Sequence, residues 1–269
     1  MNHVETIDAR SRAHARAAAA VTIVASVAGP FLASISLEAQ ILVAGLAIVL
    51  LGFPHGALDP LIIQASRGSS GTRTLLGFLF AYLVLAFAIV GLWVVSTALG
   101  LALFLLSSVL HFGEGDAPRS IPRRRRWICV LSHGSAPILL PAAFYPADVG
   151  EVFGWLLNQD GAGVAGWLFG WRDALVLAWV AMAGLGHLGR WDAAERRSVV
   201  ELTLLLIAFV ALPPLLSFSV YFCAWHSARH LLSADVVMGG ELRHRAAVVG
   251  LTVLVATAVL MGGGHLAAG

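Results

Sequence analysis

The stretch Leu75–Leu110, LLGFLFAYLVLAFAIVGLWVVSTALGLALFLLSSVL, runs for 36 residues without one charged side chain. A helix crosses the hydrocarbon core of a bilayer with about 20 residues. The run is therefore too long for one span and long enough for two. Small residues between Ser96 and Gly100 permit a tight turn, which divides it into spans 75–95 and 98–112. A transmembrane barrel needs apolar and polar residues in alternation. This run is continuous, so helices are predicted.

Outward from it, apolar runs bounded by charge or turn residues give further spans at 17–37, 40–62, 127–146, 173–189, 198–217, 218–238 and 246–262. The whole chain is 59% hydrophobic and 12% charged, with a mean hydropathy of +0.86. A soluble domain carries about 25% charged residues, so this chain has too little polar surface to face water. The fold class expected is all-α: a polytopic integral membrane helical bundle of about seven to nine transmembrane helices, with an intramembrane metal site. Residues 1–16 read as a cytoplasmic N-terminal tail, 17–262 as a single transmembrane domain and 263–269 as a C-terminal tail.

All 17 basic residues are arginine. The absence of lysine excludes a retinal Schiff base, so the chain is not itself a rhodopsin. With the N-terminus inside, 15 of the 17 arginines fall in cytoplasmic segments, Arg172 falls outside and Arg229 lies within a span. Such a split follows the positive-inside rule and places the protein in the cell membrane as a multi-pass chain with a cytoplasmic N-terminus. Segment 147–172, with Trp155, Trp167 and Trp171, reads as an interfacial piece on the outer face. Arg123–Arg126 read as a lipid-phosphate anchor, and Cys129 and Cys223 as small core residues. No basic patch interleaved with aromatics points to nucleic acid.

The chemistry rests on histidine. His55, His111, His187, His226 and His230 lie inside or at the ends of spans, and His133 sits early in another. Polar residues in a bilayer are costly and by default face the bundle interior. His55 and His111 fall 15 and 13 residues into their spans, and His226 and His230 fall 8 and 12 residues into theirs. The three spans that carry them all run from outside to inside, which puts the rings in one layer roughly 12 to 22 Å below the outer surface. His226 and His230 share a helical face at i and i+4, with Cβ atoms about 5–6 Å apart, suitable for two ligands on one metal. Asp59 stands at i+4 from His55 and is expected to orient its ring. Glu114 and Asp116 sit where a span meets the cytoplasm and read chiefly as solvated carboxylates, with Glu114 retained as a residue behind the ligands. Arg229, a buried charge, is expected to pair with Asp59, Glu114 or Asp235.

Pro54-His55-Gly56-Ala57-Leu58-Asp59, the His111-Phe112 pair and Trp225-His226-Ser227 ending at Arg229-His230 together resemble the Brp/Blh family of membrane β-carotene 15,15′-dioxygenases. The resemblance spans about residues 40–238 and implies cleavage of the central double bond of β-carotene by O2 to give two molecules of retinal. It further implies a non-haem Fe2+ held by His55, His111, His226 and His230. His133 and His187 would then be hydrogen-bonding residues behind the ligands, and Phe53, Phe112, Phe222 and Trp225 would line a polyene tunnel. A retinal-binding rhodopsin is the functional partner implied. Two other readings of the histidines stay open: a bis-histidine haem between helices, and a metal or proton relay in a transporter. Di-iron desaturases use several HxxH, HxxxH and HxxHH boxes, whereas this chain has one HxxxH and no HxxHH, and the HExxH of intramembrane zinc proteases is absent.

Overall fold

The computed structural model describes residues 3–52, 72–118, 121–188 and 192–237. Phe53, His55, Asp59 and the span expected at 246–262 lie outside the described residues. Among those described, every element is a helix.

Helix α1 (His3–Val27) opens inside the segment read as a tail. Its alanines at 9, 13, 15 and 17–20 are the strongest helix formers. After the short α2 (Gly29–Ala33) comes α3 (Leu37–Ala47), whose first turn is capped by the Ser36 hydroxyl accepting from the Ala39 N–H. It continues into a π-helical turn, π1 (Ile48–Gly52). The long apolar run becomes α4 (Thr72–Val95) and α5 (Thr97–Asp116). They part at Ser96, which is extended at φ −155° and caps α5 by accepting from the Leu99 N–H.

The next helices are α6 (Arg123–Phe144), α7 (Pro146–Leu157), α8 (Gly161–His187) and α9 (Ala193–Ala211). Segment 147–172, expected as one interfacial piece, divides at Asn158–Asp160: it supplies α7 and the first turns of α8, which continues unbroken to His187. The Asp160 carboxylate caps α8 by accepting from the N–H groups of Ala162 and Gly163. Trp155, Trp167 and Trp171 all stay exposed. Beyond α9, the helix break expected at 217/218 falls instead at Leu212–Pro213. There Pro213 and Pro214 remove backbone donors and favour a helix start. The chain resumes as α10 (Pro214–Ser219), winds as a π-helix, π2 (Val220–Ser227), and returns to α-helix in α11 (Ala228–Val237).

Among the described residues, four helices are long and apolar enough to cross a membrane: α4 from Leu76, α5, α6 and α8. Helix α6 is the axis of the bundle, with α5, α8 and α9 packed on it. Its approach to α5 is set by glycine. A Cβ on Gly134 would overlap the Val109 carbonyl, and one on Gly113 would overlap that of Val130. Small residues of this kind let helix backbones touch in bilayer proteins. On the other side, the Trp179 indole donates to the Ser132 carbonyl at 2.8 Å and the Cys129 thiol donates to the Gly186 carbonyl at 3.1 Å. The apolar core gathers Ala136, Leu140, Trp179, Leu205, Phe209 and Tyr221.

Candidate functional site

The last two turns of α5 meet π2, and the meeting is built from aromatic rings. His111 and His226 lie with ring centroids 5.2 Å apart. The Phe112 edge stands 4.9 Å from the His226 ring, and Phe222 stacks on it at 5.9 Å with 14° between planes. A Cβ on Gly115 would come within 3.0 Å of His226 Cε1, so the bare glycine leaves the imidazole its space. His226 is buried and His111 is exposed. His230 follows on α11, half-buried. Among the described residues no three His, Cys, Asp or Glu side chains form a group able to hold a metal ion.

Beneath His226 lies a cluster of charged and polar groups. Its Nδ1 is 3.3 Å from both carboxylate oxygens of Asp116. The Tyr221 hydroxyl donates to Asp116 Oδ2 at 2.7 Å, and Arg229 donates to Oδ1 at 2.8 Å. The other arm of Arg229 donates to Glu201 on α9 at 2.7 Å. Asp116, read from sequence as a solvated loop carboxylate, is thus buried, its side chain 2% exposed. Arg229 takes Asp116 and Glu201 as partners; Glu114 is bonded instead to Arg126 on α6.

The π winding assembles this cluster. Five residues of α-helix turn the chain about 500°, which would leave Tyr221 and His226 roughly 140° apart. The i→i+5 bonding of a π-helix brings such a pair nearly into line, and both side chains reach Asp116. Short π segments inside α-helices are frequently found at functional sites.

The remaining candidates sit elsewhere. His133 is buried with both nitrogens engaged: Nδ1 donates to the Cys129 carbonyl at 2.9 Å, and Nε2 accepts from the Ser198 hydroxyl at 2.8 Å. His187 lies 3.4 Å from the same hydroxyl and lines an apolar cavity of about 370 Å³ between α8 and α9. Trp225, a candidate tunnel residue, packs toward α1, donating to Thr22 at 2.9 Å with its ring edge against His14. His14 itself donates to the Ala224 carbonyl at 2.8 Å. Sequence reasoning missed His14, Asp116, Glu201 and Tyr221 as parts of this region. The signal for Tyr221 and Glu201 was available, since polar groups inside apolar spans are expected to find partners.

Fold and site define a class: a helical bundle with membrane-length helices, in which the buried His226 meets the exposed His111 above a buried carboxylate. The chain belongs to the β-carotene 15,15′-dioxygenase family, a family of oxidoreductases, whose sequence model matches residues 46–268. It is 31% identical over 226 residues to a β-carotene 15,15′-dioxygenase of the uncultured marine bacterium 66A03, covering 81% of this chain and 78% of that one. It is 29% identical over 211 residues to a probable β-carotene 15,15′-dioxygenase, Blh, of Halobacterium salinarum, covering 71% of this chain and 61% of the relative. No solved structure matches the chain.

Proposed function

We propose that this protein is a membrane carotenoid cleavage dioxygenase that splits the central 15,15′ double bond of β-carotene with O2, giving two molecules of all-trans-retinal. The two oxygen atoms of O2 become the two aldehyde oxygens, so no further reductant enters. The observation that carries the reading is the meeting of His111 and His226 at 5.2 Å, in a chain whose relatives bear that activity in their names. With metal–nitrogen bonds of about 2.1 Å, two imidazoles on one ion place their centroids roughly 4.5–5.3 Å apart. The spacing of this pair suits two ligands of one ion. His55, His111, His226 and His230 would hold Fe2+ through neutral imidazoles, leaving coordination positions open for small molecules. When bound, the iron supplies the redox reactivity toward O2 that a closed-shell polyene lacks.

The chain's own residues do the rest. Phe112 and Phe222 present apolar rings beside His226, where a polyene entering from lipid would lie against them. Gly52 packs so closely under Phe222 that a Cβ there would overlap its ring. The chain thus leaves π1 beside the Phe222 ring, only three residues before His55. In this reading the bundle spans the cell membrane with its N-terminus in the cytoplasm. The retinal released would serve a rhodopsin that has the Schiff-base lysine this chain lacks.

Expression in a β-carotene-accumulating bacterium tests the proposal. Loss of orange colour with retinal as the sole chromatographic product is expected. Apocarotenals of unequal length, or persistent colour with iron-loaded protein present, would overturn it. Replacing His226 or His230 by alanine should abolish both bound iron and product.

A further inference from the structure

We infer that Asp116 is the positioning residue of His226, fixing which nitrogen of that ring faces the metal. The inference rests on the metal reading above and gives a role to Asp116, which carries none in it. An ionised carboxylate can only accept hydrogen bonds. With Asp116 3.3 Å away through both oxygens, His226 Nδ1 bears the proton and donates. Nε2 is then the nitrogen with the lone pair. A flip of the ring by 180° would turn a C–H toward the carboxylate and lose the bond, so one orientation is selected.

The carboxylate is itself immobilised. Tyr221 holds Oδ2, and Arg229 holds Oδ1 while anchored to Glu201 on α9. Phe222 and Phe112 clamp the plane of the imidazole from face and edge. Two carboxyl groups around one guanidinium also give the cluster more acid than base, which suits a dication bound through His226. A carboxylate behind a metal-binding histidine fixes its tautomer and raises its basicity, and removing it typically costs 10–100-fold in metal affinity.

His133 supplies an internal contrast. Its Nδ1 is oriented the same way, by the Cys129 carbonyl, but its Nε2 is closed by Ser198. The same ring chemistry is thus finished as a structural hydrogen bond at His133 and as a donor to metal at His226.

The test uses the purified full chain, stripped of iron and titrated with Co2+, whose visible d–d bands report the ligands around it. The wild-type chain should bind one Co2+, and His226→Ala should not bind it. Asp116→Ala should weaken Co2+ binding about 10–100-fold and shift the bands. Asp116→Asn, isosteric and still able to accept from Nδ1–H through its amide oxygen, should fall between the two. Tyr221→Phe should shift the bands with a smaller loss of affinity. Wild-type affinity and spectrum in Asp116→Ala and Asp116→Asn, with His226→Ala still silent, would overturn the role of Asp116 alone. Wild-type binding by His226→Ala would overturn the metal reading and this inference with it. Should Asp116→Ala fail to fold, the spectrum of Asp116→Asn decides, because a purely structural role would leave the bands in place.

Discussion

Helices α4 and α6 are nearly equal in length, 24 and 22 residues, and opposite in construction. No residue of α4 between Leu76 and Val95 is buried, and large side chains such as Phe80, Phe87 and Val94 are more than two-thirds exposed. Twelve residues of α6 are buried, and they include Ser132, His133 and Ser135. A water-soluble protein distributes its residues the other way, with charge outside and hydrocarbon within. Here the outer helix is the apolar one and the polar groups point inward. The difference is the one expected of a helix surrounded by hydrocarbon, with the hydrogen-bonding groups kept to the interior around α6.

The comparison breaks most severely at the interior charges. Arg229→Ala strands Asp116 and Glu201, both nearly buried, and should cost about 3–5 kcal/mol of stability. The readout is the melting midpoint of the detergent-extracted protein, and Glu201→Gln added to it should recover part of the loss. Next comes the lipid-facing helix. Leu85→Arg, mid-way along α4, should raise the cost of membrane insertion by about 2.5–3.5 kcal/mol, measured with a glycosylation reporter. Unimpaired insertion would show that α4 does not face lipid. A smaller loss, about 1–3 kcal/mol, is expected for Ser198→Ala, which removes the donor to the buried His133 Nε2. Phe87→Leu on α4 keeps an apolar side chain on an open face and should change the midpoint by less than about 0.5 kcal/mol.

Much of this architecture was legible in the residues. The turn at Ser96 was marked by small residues, and the apolar runs located most of the helices. What hid the rest was distance along the chain. Asp116 follows two glycines at the end of an apolar span and looks like a loop carboxylate. Its burial depends on Tyr221 and Arg229, more than a hundred residues away. Helix α1 was obscured by its charges: Arg10, Arg12 and Arg16 drew the eye from the alanines between them. The i and i+4 spacing of His226 and His230 assumed α winding throughout, yet the helix turns from π to α between them.

That change of winding makes the chain length here forgiving in one direction only. Substituting Cys223 or Ala224 alters one side chain, and deleting either would let the backbone relax to ordinary helical pitch. Tyr221 and His226 would then stand four residues apart, about 40° round an α-helix, still on the face that meets the carboxylate they share. A codon added between them should therefore disable the protein more thoroughly than a codon lost there.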